Sequence, residues 1–342
     1  MSKDLKELYY EIKKYIDKVD FSKLWKGFKP LKFALYNEKE CFFNGEYVEK
    51  TEAFIANTAI NYNGEVIAIW NVMEDVDSIV LASKMIHEMF HGYQMINSES
   101  RFPDELDALY NYKYNDENLS IKLEENKILV SLLDCFNNDS FNKLLEYRKY
   151  RYDKYQYEYL YESKIEQIEG TANFVELNVL KQLSSELYQD KLDGLKKGLV
   201  NKGSYFPIRV LCYDIGALLL TVLRDNNISF NDGFNDESFS LSLVKNVSIK
   251  ALTIVSYFSD DIKKYYNHAK DIIISALNKN DLVVEGNYDI LGVNVYNAIY
   301  YENYIISIYF LMYGTMEDRK IEYGNFVIES KEYKKLSKVY RF

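Results

Sequence analysis

The chain has 342 residues, of which 48% are hydrophobic and 27% are charged, so it can bury a substantial core and is not a disordered sequence. Its formal net charge is −10, which argues against nucleic acid as the main partner because phosphate binding favours a basic face. The most apolar run, Val210 to Leu223, is interrupted by Asp214 and is too short to span a bilayer, so we expect no membrane partner.

The amino-terminal residues carry no apolar stretch of the kind found in secretion signals. Three cysteines, Cys41, Cys135 and Cys212, lie far apart and form no C-x-x-C pair. We therefore expect unpaired cysteines that serve as small buried apolar residues, and a cytoplasmic protein.

The first part of the chain predicts a helix followed by a sheet. Residues 4–20 place apolar side chains at helical spacing, which is typical of a surface helix. Between about 31 and 73 the apolar residues follow strand patterns, with Asn44-Gly45 and Asn63-Gly64 as turns between them. An Asn-Gly pair between apolar strands is a strong hairpin signal, so we expect a small antiparallel sheet.

A buried helix is predicted over about 78–96, with Ser78 as its N-cap. Residues 100–116 have the composition of a loop, and 119–280 read as a helical lobe that includes a strongly apolar helix after Pro207. Beyond 281 the period returns to two, with Gly286-Asn287 as a turn, so 281–342 is a β-rich C-terminal segment. The fold class expected is α+β, with one domain over 1–280 and the segment 281–342 after it.

The helix over 78–96 contains His87-Glu88-Met89-Phe90-His91, which is the pattern H-E-x-x-H. Residues four apart lie on one face of a helix, so both imidazoles can bind one metal ion. Glu88 lies one step around the helix, where its carboxylate can reach a metal-bound water as a general base. The alternative is an ordinary amphipathic helix with a chance motif, in which case no metal binds.

A catalytic zinc needs a third protein ligand. His268, the remaining histidine, lies in a helix that reads as exposed, so we interpret it as a surface histidine. Carboxylates are better candidates, because several polar residues share one stripe of a later helix at spacings of three and four: Glu162, Glu166, Glu169, Asn173 and Glu176.

His87-Glu88-Met89-Phe90-His91 followed by Glu169-Gly170-Thr171-Ala172 resembles the gluzincins, zinc peptidases whose third ligand is a glutamate on a following helix. The resemblance covers about 53–180 and implies a zincin-like fold with His87, His91 and Glu169 as ligands of Zn2+. It places Asn173 where a carboxylate orients a histidine in some members, and Glu166 is the alternative ligand.

The resemblance implies zinc-dependent hydrolysis of a peptide or protein substrate, with Glu88 as general base and an edge strand that receives the substrate. Tyr213 is our candidate for the donor that stabilises the oxyanion, because Arg209, Tyr213 and Gly216 share one face of an apolar helix. The competing hypothesis is a non-catalytic binding or regulatory protein on a degenerate zincin scaffold.

Overall fold

A computed structural model describes residues 4–73, 76–234, 237–250 and 252–342. The secondary structure is mixed, with 50% helix and 19% strand, so the α+β class is confirmed at that level. Within the described ranges, no helix is both long enough and apolar enough to cross a membrane.

The helices are α1 (Leu5–Ile16), α2 (Ser78–Ile96), α3 (Glu105–Asn111), α4 (Asp116–Asp134), α5 (Asn138–Lys154), α6 (Gln156–Ile165), α7 (Thr171–Leu183), α8 (Ser185–Val200), α9 (Ile208–Asp225), α10 (Phe239–Ser242) and α11 (Ser259–Lys279). A π-helical turn, Glu166–Gly170, joins α6 to α7. The strands are β1 (Phe33–Tyr36), β2 (Cys41–Phe43), β3 (Glu46–Val48), β4 (Thr58–Tyr62), β5 (Glu65–Asn71), β6 (Leu282–Val293), β7 (Ile299–Tyr301), β8 (Tyr304–Ser307), β9 (Phe310–Gly314), β10 (Arg319–Tyr323), β11 (Phe326–Glu329) and β12 (Lys335–Arg341).

The first sheet has the order β3-β2-β1-β5-β4. Both predicted hairpins are confirmed: β2 pairs with β3 and β4 with β5, each antiparallel. The two turns place Asn44 at φ 51° and Asn63 at φ 52°, each followed by a glycine that also has positive φ. Asparagine and glycine adopt this left-handed region more readily than other residues, which explains their place in both turns.

The expectation of a wholly antiparallel sheet is wrong, because β1 and β5 are neighbours and run parallel. Both strands are buried on two faces, as is usual for parallel strands. On one face the helices cover Leu35 and Ala68, and on the other Phe54 packs over Ile67. Both strands are therefore continuous apolar runs in the sequence. Such a run does not show whether a strand pairs with its neighbour in parallel or antiparallel.

Helix α2 has the bounds that the sequence predicts, Ser78–Ile96. Its N-cap is Asp77 rather than Ser78, because the Asp77 carboxylate accepts the backbone N–H groups of Ile79 and Val80. Gly92 faces the sheet, where a Cβ would lie 2.4 Å from Leu31 Cδ1. This close approach brings α2 onto the sheet and turns the opposite face of the helix, with its histidines, toward α7.

The C-terminal strands form a second sheet with the order β10-β9-β6-β12-β11-β8-β7. One face packs against α11 through Ala269 and Ile273, and Tyr110 of α3 belongs to the core on the other. The predicted turn at Gly286-Asn287 is wrong, because β6 continues through it with Gly286 at φ 153°.

Two further expectations differ from the structure. The 100–116 segment is not all loop, because it contains α3, which Asp104 caps through the backbone N–H of Asp107. The cysteines are unpaired as expected, and Cys41 and Cys212 are buried, but Cys135 is exposed at the end of α4.

Candidate metal centre

The two histidines of α2 and a glutamate of the π-helical turn meet in one place. The Nε2 atoms of His87 and His91 are 3.1 Å apart. Glu169 Oε2 lies 3.4 Å from His91 Nε2 and 4.0 Å from His87 Nε2. The three residues form the group that could hold a metal ion among the residues that the structure describes.

The other ring nitrogen of each histidine faces an acceptor. His91 Nδ1 lies 2.8 Å from Gln94 Oε1. His87 Nδ1 lies 3.4 Å from Glu176 Oε2, an ion-pair distance without the alignment of a hydrogen bond. Since both acceptors favour a proton on Nδ1, we assign tautomers in which each Nε2 presents a lone pair to the shared centre.

Three lone-pair atoms therefore converge on one small space, which is favourable only if a cation or a proton lies between them. In the metal-free protein a proton can fill this role. Burial would lower the pKa of His91, but the Glu169 carboxylate outweighs burial and raises that pKa to about 9. Two imidazoles and one carboxylate are also a ligand set that Zn2+ prefers in catalytic sites, so the residues fit the metal.

The π-helical turn positions Glu169. A π-turn widens the helix and leaves a carbonyl without its usual partner. Here the Ile168 carbonyl accepts from Gln94 Nε2 at 2.9 Å, and Gln94 Nε2 also lies 3.1 Å from Thr171 Oγ1. Gln94 thus binds the turn with its nitrogen and His91 with its oxygen, so one side chain links α2 to the turn that carries Glu169.

Glu166, the alternative ligand, points away from the histidines. It is fully buried, and its Oε2 accepts from Arg148 Nη2 at 2.5 Å. The change of helical register at the π-turn separates Glu166 from Glu169, which an undistorted helix would place on the same stripe. Glu169 is thus the carboxylate that the structure places beside His87 and His91.

Asn173 does not take the orienting position that the resemblance implies. Its Nδ2 lies 3.5 Å from Asp214 Oδ1, and it has no hydrogen bond to either histidine in the described part of the chain. Glu176, one turn further along α7, takes that place beside His87. His268 is exposed on α11, in agreement with its interpretation as a surface histidine.

A cavity of about 470 Å³ adjoins the centre and has room for part of a peptide. Glu88 lines it together with both histidines and Glu169. Burial raises the pKa of Glu88 above its ordinary value, which makes its carboxylate a better proton acceptor than an exposed one.

Tyr213 also lines this cavity, as the prediction of an oxyanion donor requires. Its hydroxyl lies 3.4 Å from that of Tyr296, a residue of the C-terminal segment. The guanidinium carbon of Arg209 lies 4.9 Å from the Tyr213 ring centre and 5.0 Å from that of Tyr296. The role of Tyr213 stays a prediction.

Strand β4 forms one edge of the first sheet and reaches the cavity through Asn57 and Thr58. Its outer backbone groups have no partner strand among the described residues. An extended chain could pair with this edge and pass the metal centre.

Sequence reasoning assigns no role in this site to four of its residues, although it places Glu176 and Arg209 on the helix faces of Glu169 and Tyr213. Gln94 carried a usable signal, because it lies three residues after His91 on the same helix face. Glu176 shares its stripe with Glu169, seven residues away. Arg209 and Tyr296 reach the site only through the packing of α9 and the second sheet, which spacing does not encode.

No protein-family model, curated protein or solved structure that was compared with this chain matches it.

Proposed function

We propose that this protein is a zinc-dependent peptidase in which His87, His91 and Glu169 hold the metal and Glu88 is the general base. The observation that carries the proposal is the convergence of three lone-pair atoms beside a cavity, with each histidine backed by an acceptor. A proton on His91 can balance these atoms in the metal-free protein, and two imidazoles with one carboxylate are also a ligand set that Zn2+ prefers in catalytic sites.

In this proposal the residues of the site have different roles, which follow from their positions. Zinc, when bound, would supply Lewis acidity to the scissile carbonyl and to the attacking water. Glu88 takes a proton from that water and passes it to the leaving amine nitrogen. Gln94 and Glu176 hold the rings of His91 and His87 with their Nε2 atoms toward the centre.

The substrate in this proposal is a peptide segment in extended conformation. The β4 edge offers backbone hydrogen bonds, and the adjoining cavity wall includes exposed apolar side chains, with Met95 44% and Phe102 50% exposed. Backbone pairing is independent of sequence, whereas apolar side chains on the wall favour apolar substrate residues.

The test compares purified parent and Glu88→Gln proteins for zinc content and for cleavage of a peptide pool, with and without a chelator. The parent should hold about one zinc per chain and lose its activity with chelator. Glu88→Gln should keep the zinc and lose about 10²- to 10⁴-fold in rate, because it removes the base and leaves the ligands.

Glu186→Gln is the matched control, because Glu186 is an exposed glutamate on α8. It should retain both zinc and activity. Zinc without turnover in the parent would support the non-catalytic binding protein instead, and a parent without zinc affinity would contradict both.

A further inference from the structure

The guanidinium of Arg209 is the direct protein partner of the proposed third ligand. Arg209 Nη2 lies 3.3 Å from Glu169 Oε1, while Arg209 Nε donates to Glu105 Oε1 at 2.8 Å. Because Oε1 is occupied by the arginine, Glu169 turns its other oxygen, Oε2, toward the histidines. Arg209 therefore determines which carboxylate oxygen faces the metal centre.

Two aromatic rings lie against this guanidinium. Tyr213 lies four residues further along α9, and the ring centres of Tyr213 and Tyr296 lie 4.9 Å and 5.0 Å from the guanidinium carbon. The Nη1 atom of Arg209 is buried and has no hydrogen-bond partner among the described residues. Since Nη1 adds no hydrogen bond, the rings and the two carboxylates set the orientation of the side chain.

Tyr296 comes from the turn between β6 and β7, and that turn is well anchored. The backbone N–H groups of Asn297 and Ala298 donate to the Asn294 carbonyl, and the N–H of Asn294 donates to Ser307 Oγ on β8 at 3.3 Å. The second sheet thus presents the Tyr296 ring to Arg209 from a turn that these hydrogen bonds hold in place. This is the point where the C-terminal segment reaches the metal centre.

We infer that Tyr296 is a positioning residue through which the C-terminal β-rich segment controls the metal affinity of the site. The ring of Tyr296 packs against the Arg209 guanidinium and holds it in position, and the guanidinium holds Glu169 with Oε2 toward His87 and His91. This inference rests on the proposed function, because it requires these three residues to bind zinc.

The test measures zinc dissociation constants by competition with a chromogenic chelator for the parent and three variants. Tyr296→Ala should weaken zinc binding about tenfold or more, as loss of a group that orients a ligand does in other zinc sites. Tyr296→Phe should bind as the parent does, because it keeps the ring. Arg209→Lys should bind more weakly, because lysine lacks the planar guanidinium whose Nε and Nη2 atoms reach Glu105 and Glu169 separately while it contacts both rings.

Tyr323→Ala is the matched control. Tyr323 is an exposed tyrosine of the same sheet on β10, at the opposite edge from β7, and its removal should leave zinc affinity unchanged. Tyr296 is itself 53% exposed, so its loss should not unfold the protein.

Equal zinc affinity of the parent and Tyr296→Ala would overturn the inference while the proposed function stands. Affinity in Tyr296→Phe as weak as in Tyr296→Ala would also overturn it, by moving the effect from the ring to the hydroxyl. A parent that binds no zinc would overturn the inference together with the proposed function.

Discussion

At the scale of single residues, the decisive feature is the use of both nitrogens of each histidine. His91 lies between Gln94 and Glu169, and His87 lies between Glu176 and the same centre. H-E-x-x-H predicts the two rings and the base from spacing alone. It does not predict the acceptors behind the rings, because Gln94 lies outside the motif and the place of Glu176 depends on which face of α7 meets α2.

Zinc binding should depend on pH through His91. In the metal-free protein its pKa is raised from 6.5 to about 9, so at neutral pH it holds a proton that zinc must displace. Apparent zinc affinity should therefore rise about tenfold per pH unit from neutral pH and level off near the raised pKa. Competition titrations between pH 6.5 and 9 measure this, and an affinity independent of pH across that range would contradict it.

The proton on His91 also makes the stability of the metal-free protein depend on pH, in the direction opposite to that of zinc affinity. The two shifted pKa values mean that the His91–Glu169 pair contributes its full stability between about pH 4.5 and 6.5 and loses it as pH rises through about 9. Zinc affinity and metal-free stability should thus move in opposite directions over this range.

Two neighbouring glutamates should respond differently to the same substitution. Glu169→Gln should strongly reduce zinc binding, because it removes a proposed ligand. Glu166→Gln should keep zinc but lower the free energy of unfolding by about 3–5 kcal/mol, because Arg148 is left buried without its closest partner. Zinc titration and urea unfolding of both variants measure the contrast, and loss of zinc in Glu166→Gln alone would reverse the ligand assignment.

At the scale of elements, the π-helical turn is the feature that sequence patterns do not predict. Helical spacing places Glu162, Glu166, Glu169 and Glu176 on one stripe, but the structure sends the first two into buried ion pairs and the last two toward the histidines. Periodicity assumes constant geometry along a helix, and one wider turn breaks that assumption. The sequence also fails to predict that β1 and β5 run parallel, because buried apolar strands carry no pattern that shows their relative direction.

The π-turn rests directly on the backbone of α9. A Cβ on Gly216 would lie 2.8 Å from the Glu166 carbonyl oxygen and from Gly170 Cα. Gly216→Ala should therefore destabilise the protein by about 1–3 kcal/mol in urea unfolding, because backbone cannot give way as a side chain can. It should also weaken zinc binding, since the shifted turn carries Glu169.

Gly194→Ala is the control, for which we expect the opposite change in stability. Gly194 lies inside α8, and a Cβ added there would meet no atom within 4 Å, so alanine should stabilise the helix by about 0.5–1 kcal/mol. Equal destabilisation by the two substitutions would show that the close contact at Gly216 is not the cause.

At the scale of the whole molecule, a buried ionic network holds α4, α5 and the helix that carries the π-turn together. Three cations and three carboxylates lie within it, each at most 2% exposed: Lys122, Arg148, Arg151, Glu125, Glu162 and Glu166. Arg148 and Arg151 come from the run of tyrosines and basic residues at 147–161, a composition that is also found in segments that bind single-stranded nucleic acid. Both arginines form ion pairs inside the protein, Arg148 with Glu166 and Arg151 with Glu162.

Removal of one cation should leave a buried carboxylate charge uncompensated. Lys122 Nζ lies 2.7 Å from Glu162, whose pKa falls to about 2 because Arg151 and Lys122 outweigh the effect of burial. Lys122→Met should lower the free energy of unfolding by about 3–5 kcal/mol. Lys13→Met removes an exposed ion pair with Asp17 and should cost less than about 1 kcal/mol, so equal losses would contradict the role of the network.

The low pKa of Glu162 also fixes the pH range in which the network acts. Its stabilisation is present above the ordinary value of 4.5 and is lost as pH falls toward 2. The parent should therefore lose more stability than Lys122→Met over that interval in unfolding experiments at a series of pH values.

The large-scale division into an N-terminal sheet, a helical middle and a β-rich end follows from hydrophobic periodicity. The contact between the second sheet and the metal centre does not, because Tyr296 is one of 33 tyrosines and nothing in its sequence surroundings marks it. Local spacing predicts elements and motifs, whereas residues brought in by packing are found only in three dimensions.

The most direct test of the metal centre is anomalous diffraction at the zinc absorption edge from crystals grown with zinc. We expect one anomalous peak bonded to His87 Nε2, His91 Nε2 and Glu169 Oε2 at about 2.0–2.2 Å from each. Zinc bound elsewhere, with these three side chains turned away from one another, would contradict it.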